Sequence, residues 1–225
     1  MKVLMLILAG GDGLYEFLRE HCWGSYMNSR PDEIEAYFYR GDPNLSGNHE
    51  FRDNILYVKC NDGYGHVVKK LQMALAVFEH RFHEFDYICR PNLSSFWIFD
   101  RYLKVLENKP REKFCYAICN THPILFPSGC GFTITIDIAK EYIHNAPPIA
   151  CEGGDDVSMG ALLSTLKIPV TSAQRIDITL ERHWPLLDKL ETDLNIFHIR
   201  IKHEHNRKEN DKIIWKRLLA LITHL

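Results

Sequence analysis

What this chain lacks excludes several classes of protein. Its 27 Lys and Arg nearly balance its 29 Asp and Glu, for a formal charge of −2, so no global field draws it to nucleic acid or to an anionic membrane. No apolar run is long enough to span a bilayer. Met1 to Ala9 is apolar but far too short, and it has neither the basic region nor the cleavage site of a signal peptide. The seven cysteines, Cys22, Cys60, Cys89, Cys115, Cys119, Cys130 and Cys151, contain no CxxC pair. Most sit inside apolar runs, which reads as reduced thiols in a reducing, cytoplasmic compartment. GxGxxG and Walker patterns are missing, so neither dinucleotide nor P-loop binding is signalled. HExxH, GxSxG and the kinase signatures are missing too, and hydrolase and kinase readings lack support. Repeats, low-complexity tracts and linkers are also absent.

What is present is an ordinary globular composition, 46% hydrophobic and 25% charged, in a length that suits one domain over residues 1–225. Lys2 to Ala9 reads as a central strand of a parallel sheet that ends in the turn Gly10-Gly11-Asp12-Gly13. Ligands of open α/β sheets bind outside such carboxyl ends. A helix is expected over Leu14 to Met27, with strands at Ile34 to Tyr39 and Asn54 to Lys59 and a polar loop, Gly41 to Asp53, between them. Asn61-Asp-Gly-Tyr64 opens an amphipathic helix with Val67, Val68, Leu71, Ala74, Leu75 and Phe78 at helical spacing.

Further strands follow at Phe85 to Arg90 and Lys113 to Cys119. Between them Ser94 or Ser95 can cap a helix over Phe96 to Leu106. The order βαββαβαβ marks an α/β sheet with crossovers. Beyond it, strands are expected at Ile124 to Phe126, Thr133 to Ile136, Val170 to Asp177 and Asn195 to Lys202. Helices are expected at Asp137 to His144, up to Leu166, and at Asp211 to His224; Thr179 to Asp193 has a mixed pattern.

Two constellations carry chemistry. Ala150-Cys-Glu-Gly-Gly-Asp-Asp-Val-Ser-Met-Gly160 places Glu152, Asp155 and Asp156 on a glycine turn ahead of a helix. One carboxylate can cap that helix, which leaves the other free to act as a base; the plainer alternative is a cap and nothing more. Ile196-Phe-His-Ile-Arg-Ile-Lys202 alternates, so His198, Arg200 and Lys202 share a face. Such a face suits a diphosphate, or else is the solvated side of an edge strand. His203 and His205 follow and could bind a metal. Arg90-Pro-Asn-Leu-Ser-Ser95 lies at a strand end, as either a ligand turn or a simple turn and cap.

Taken in order, these segments resemble a known group. Phe85-Asp-Tyr-Ile-Cys-Arg-Pro-Asn-Leu-Ser-Ser-Phe-Trp97 looks like the "RTNLSSFW" segment of small glycosyltransferase-like proteins of bacteria and large DNA viruses. Those in turn are similar to the GT-A-fold β-1,3-galactosyltransferase and Fringe group. Arg19-Glu-His-Cys-Trp-Gly24 resembles that group's "R-x-x-W-G", and Asp62-Gly-Tyr64 with Lys69 resembles its "D-x-Y" plus lysine. Ser128-Gly-Cys-Gly-Phe-Thr133 resembles "SGGGYVLS", Gly154-Asp-Asp-Val-Ser-Met-Gly160 resembles "EDVYVG", and His198-Ile-Arg-Ile-Lys202 resembles "H-x-R-x-K".

The resemblance implies a GT-A-like α/β domain with a mixed, mainly parallel central sheet flanked by helices. It also implies a hexosyltransferase-like enzyme that moves a sugar, with inversion, from a nucleotide-sugar, a UDP-sugar first, to a hydroxyl of a glycan or glycoconjugate. Asp156 matches the last acid of its motif and is the expected base, with Asp155 second. Donor contacts are expected from Ala9, Gly10, Gly11, Tyr15, Arg19, Tyr64, Lys69, Arg90, Asn92, Ser94, His198, Arg200 and Lys202. The acceptor pocket is expected around Gly129, Gly131, Glu152 and Gly154.

One departure concerns metal. The group's DxD cluster, which holds Mn²⁺, is replaced here by Arg90-Pro-Asn-Leu-Ser, with no carboxylate. A hard cation such as Mn²⁺ or Mg²⁺ would be poorly held there, with His198 and His203 the other ligand candidates. No organic cofactor is expected. Two alternatives stay open. A non-catalytic nucleotide- or sugar-binding module would not need Asp156. A sugar nucleotidyltransferase normally follows its first strand with a glycine-rich loop ending in basic residues, whereas here that loop holds Asp12.

Overall fold

The computed structural model describes residues 1–11, 13–122, 124–148 and 154–223. Along the chain run β1 (Val3–Leu8), α1 (Leu14–Phe17), β2 (Ile34–Gly41), β3 (His49–Arg52), β4 (Ile55–Val58), α2 (Val67–Phe78), β5 (Tyr87–Pro91) and β6 (Ser95–Trp97). Then come α3 (Phe99–Leu106), β7 (Cys115–Asn120), β8 (Phe126–Thr135), α4 (Ile136–Asn145) and α5 (Asp155–Leu166). The last third holds β9 (Val170–Ser172), β10 (Arg175–Ile178), α6 (Lys189–Thr192), β11 (His198–Ile201) and α7 (Arg207–Thr223).

β1 is an unbroken apolar run because both of its faces are covered. Val3, Met5 and Ile7 join one core, and Leu4 and Leu6 the other. Such a strand belongs in the middle of a parallel sheet, and β1 lies between β2 and β5, parallel to both. The eight-stranded sheet runs β3-β4-β2-β1-β5-β8-β7-β9. The pairs β2–β4 and β7–β9 are also parallel, whereas β3–β4, β5–β8 and β7–β8 are antiparallel. α2 packs Leu71, Ala74, Leu75 and Phe78 beside Leu4 and Leu6, and α4 and α5 cover the same face. The opposite core is rich in aromatics: Tyr26 stacks on Phe96 at 4.9 Å, and Trp215 of α7 meets Phe96 edge-on at 5.1 Å. Each such buried ring contributes on the order of 2–3 kcal/mol by area alone.

A second, three-stranded sheet, β10-β11-β6, stands beside the first. Its central strand is β11, parallel to β10 and antiparallel to β6. The basic strand is therefore interior, not an edge.

Other segments differ from the sequence expectation for identifiable reasons. The helix expected over Leu14 to Met27 stays regular only to Phe17. It then widens into a π turn, Leu18–Cys22, and tightens into a 3₁₀ turn, Trp23–Ser25, where the Ser25 hydroxyl donates to the Cys22 carbonyl at 2.6 Å, a local bond that competes with helix. Ser95 caps nothing; its hydroxyl donates to Cys130 O at 2.6 Å, and the helix begins after it, at Phe99. The two strands expected around Pro127 are one, β8. The proline sits where the β7–β8 register shifts, between Ala117 and Cys119, a place that tolerates a missing N–H. Val170 to Asp177 divides because β9 pairs in the large sheet and β10 in the small one. The loop expected over Gly41 to Asp53 contains β3, joined to β4 through Asp53 at φ 55°. Neither acid at the start of α5 is the N-cap, which is Gly154. Glu152 and Cys151 lie outside the described residues, as does Asp12.

Candidate active site

A cavity of about 470 Å³ opens at the carboxyl end of β1, lined by Gly10, Gly11, Tyr15, Tyr64, Asn92 and Arg200 among others. Its floor is built around Asp62. One oxygen of Asp62 accepts from the Gly41 N–H at 2.9 Å and from Lys70 at 3.0 Å, and the other pairs with Arg40 at 3.0 Å. Burial opposes ionisation of this carboxyl, but these partners outweigh it and hold its pKa below the ordinary value. A side chain at position 10 would reach Asp62 Oδ1 at 3.1 Å and Lys70 Nζ at 3.2 Å. Gly11, at φ +100°, adopts a conformation that only glycine takes without strain.

Arg200 and Lys202 also line the cavity, from β11 and the residue just beyond it. Among the described residues, neither side chain has an acidic partner. Asp177, directly across from Arg200, is engaged by Arg175 at 2.6 and 3.0 Å, and Arg200 Nε is buried without a hydrogen-bond partner. Asp62 and Lys70 compensate each other, so among the described residues the cavity carries a surplus of positive charge. The segment Asn92–Ser95 is tied to this strand, since Ile201 N–H donates to Ser94 O at 2.7 Å.

The two neighbouring acids of α5 have different surroundings. Asp155 is 2% exposed and accepts from Arg90 Nη2 at 2.7 Å. Burial pushes its carboxyl above the ordinary range, and Arg90 only partly offsets that. Arg90 is itself buried, donating also to Gly129 O at 2.5 Å and Tyr39 Oη at 3.3 Å. Asp156 is only partly buried, and one of its oxygens accepts from the Val157 N–H at 2.9 Å. Gly129 and Gly154 leave room for its carboxylate: a Cβ on Gly129 would come within 2.5 Å of Asp156 Oδ2, and one on Gly154 would run into Oδ1. The Tyr64 ring, 66% exposed and lining the cavity, carries its hydroxyl 3.2 Å from that Gly154 position. Burial first, and then the charge of Asp156, raise the Tyr64 pKa.

Gly10, Gly11, Tyr15, Tyr64, Asn92, Ser94, Arg200 and Lys202 thus line one cavity, and Asp156, Gly129 and Gly154 stand beside Tyr64 at its acid end. Several expected contacts lie elsewhere. Ala9 is buried in the core. Arg19 is held by Glu20 at 2.9 Å. Arg90 is enclosed with Asp155, away from the cavity lining. Gly131 makes room for Trp97, whose Cζ2 a Cβ would meet at 2.5 Å. His198 is buried, stacked on Trp97 at 4.5 Å with Nε2 3.1 Å from Ser95 Oγ. Burial, followed by the charges of Arg175 and Arg200, lowers its pKa well below the usual value, so it is neutral and not a third cation. Lys69 lines a separate hollow beside Phe51 and Phe78.

Two residues went unnoticed in the sequence. Lys70, the next along from Lys69, is 1% exposed; its signal was a lysine three residues after Val67, on the apolar stripe of α2. Arg207 reaches Ser94 Oγ at 2.8 Å, and no motif contains it.

The described residues do not fit a divalent cation. Asn92 Oδ1 already accepts from the Ser94 N–H at 3.0 Å. Ser94 faces a guanidinium. His203 Nδ1 lies 2.6 Å from His205 O. Among the described residues, no group of three or more His, Cys, Asp or Glu side chains is placed to hold a metal.

An open mixed sheet with a ligand-sized cavity at the carboxyl end of its first strand, and a small second sheet closing one side, defines the class: the chain has the GT-A glycosyltransferase fold. Among solved structures it is similar to a glycosyltransferase involved in the glycosylation of the major capsid of PBCV-1, with a TM-score of 0.58 over 95% of this chain and 98% of that one, at 8% identity. It also aligns with the catalytic domain of Drosophila beta1,4-galactosyltransferase 7, with a TM-score of 0.49 at 13% identity over 96% of this chain and 80% of that one. No family profile and no curated protein matches the sequence. What is shared at such identities is the fold, not a set of side chains. Among the described residues no helix is long and apolar enough to cross a membrane.

Proposed function

We propose that the chain transfers a sugar from a nucleotide-diphosphate sugar, a uridine diphosphate sugar in the first instance, to a hydroxyl of a glycan or glycoconjugate. The observation that carries this reading is the pair Arg200 and Lys202, cations with no acidic partner among the described residues, on a cavity at the carboxyl end of β1. A diphosphate offers such cations several oxygens. The turn at Gly10–Gly11 with Tyr15 leaves room for a base and ribose, the placement expected at the end of a parallel strand.

The transfer is read as inverting, with the base at the acid end. The acceptor oxygen attacks the anomeric carbon as the bond to the leaving phosphate oxygen breaks, and the hydroxyl proton passes to a carboxylate on the acceptor side. Asp156 suits that role because it is partly accessible, beside Tyr64, and held by no cation among the described residues. Asp155 does not, being closed in with Arg90. Arg200 and Lys202 stabilise the charge that develops on the leaving diphosphate.

Melting curves with UDP, GDP, dTDP and their sugars at about 1 mM test the reading, since a ligand that binds only the folded chain raises the melting temperature by mass action. A rise with one nucleotide family supports it; no rise with any of them overturns it.

A further inference from the structure

Ser94 belongs to the segment Arg90-Pro-Asn-Leu-Ser, which holds no carboxylate, and a guanidinium faces it. Arg207, at the start of α7, donates from Nη2 to Ser94 Oγ at 2.8 Å. Its Nε is fixed on Asp211 Oδ2 at 3.1 Å, and Asp211, 0% exposed, also accepts the His203 N–H at 3.0 Å. The guanidinium carbon lies 5.4 Å from the centre of the Tyr15 ring. Nη1 comes no nearer than 3.5 Å to the Tyr15 hydroxyl, a distance too long for a strong bond, so its donors remain available. Arg207 is thus anchored from behind by a buried carboxylate, and its head is held between Tyr15 and Ser94, both of which line the cavity.

We infer that Arg207 takes the place of the divalent cation, and that Arg207, Arg200 and Lys202 together form a metal-independent site for the diphosphate of a nucleotide-sugar. The inference rests on the glycosyltransferase reading above and adds a residue and a metal requirement to it. A planar guanidinium matches two phosphate oxygens at once, and unlike a metal ion it needs no anionic ligand from the protein. Asp211 orients it, much as an outer carboxylate orients a metal ligand.

Calorimetry in EDTA and again in Mn²⁺ decides the matter, with UDP, GDP, dTDP, inorganic pyrophosphate and the free nucleosides as probes. In the native chain the preferred diphosphate should bind in EDTA within about threefold of its Kd in Mn²⁺. Arg207→Ala should weaken diphosphate and pyrophosphate binding by about 10-fold or more, and leave nucleoside binding unchanged. Arg207→Lys, which keeps the charge but loses the fork, should fall between the two. If melting shows that the alanine variant is unfolded, Arg207→Lys and Arg207→Gln carry the comparison. Diphosphate binding that requires Mn²⁺, or that survives in every folded Arg207 variant, overturns the inference. Pyrophosphate binding through Arg207 without any nucleotide binding leaves the anion site standing and removes the glycosyltransferase reading. Failure of every probe removes both.

Discussion

Arg90 and Asp155, 65 residues apart in the chain, meet at 2.7 Å with both side chains 3% exposed. The contact ties the end of β5 to the first turn of α5, and it separates the roles of two consecutive acids. Removing one member of a buried pair leaves the other charge uncompensated, which costs about 3–5 kcal/mol. Asp155→Asn should therefore lower stability by an amount of that order in urea unfolding. Asp156→Asn should stay within about 1 kcal/mol of the native chain, while sugar transfer falls by about 10²-fold or more. Undiminished transfer by Asp156→Asn would remove Asp156 as the base.

The cavity cations can be tested by binding alone. Arg200→Ala should weaken nucleotide-sugar binding by roughly 1.5–3 kcal/mol, the range for hydrogen bonds to a charged group. Lys202→Ala should cost less, because an ammonium on a flexible stem makes fewer directed bonds. Calorimetry on both variants reads this directly, and native affinity in Arg200→Ala would contradict the placement of the diphosphate.

Gly160 lies inside α5, where replacing glycine by alanine ordinarily gains about 1 kcal/mol. Here a Cβ would run into Phe126 Cβ and approach Leu125 O at 2.7 Å. Gly160→Ala should instead destabilise by about 1–3 kcal/mol through overpacking. Gly65→Ala, with nothing within 4 Å, should stay within about 0.5 kcal/mol. Urea midpoints of the two variants give the comparison.

Glu35 sets an acid limit. Burial opposes its ionisation, but Arg81 at 2.7 Å, Lys2 at 2.9 Å and Tyr37 at 3.0 Å outweigh it and hold its pKa at about 2, against an ordinary 4.5. The folded value is the lower one, so this stabilisation is fully present above pH 4.5 and is lost as pH falls toward 2. The melting temperature of the native chain should decline across that window, and that of Glu35→Gln should decline less. Parallel curves for the two proteins would show that Glu35 contributes nothing.

The sequence revealed β1, the helical stripe of α2 and the acid pair of α5 because each is a local pattern, in apolar periodicity or adjacent charge. It did not reveal the pairing of β6 with β11, since His198 and Ser95 lie 103 residues apart. The alternation of His198, Arg200 and Lys202 correctly put them on one face. Only packing decided that Trp97 covers the first while the other two meet the cavity. Arg90 looked like a ligand residue because it is a cation at a strand end, and the acid that encloses it comes from a distant helix. Lys69 and Lys70 differ by one position on a helix, a rotation of about 100°, enough to exchange an exposed lysine for the buried partner of Asp62.

The central place of β11 in the small sheet also bears on the order in which the protein is completed. β6 leaves the ribosome about 100 residues before its partner, and pairings so distant form late. Every strand of the large sheet precedes β10 and β11, so that sheet's register can be set while Ser95–Trp97 still has no neighbour on the β11 side. Arg200, Lys202 and Arg207 follow later still along the chain. A chain that has reached only β9 can thus hold the pairings of the large sheet before the cations of the cavity have been made.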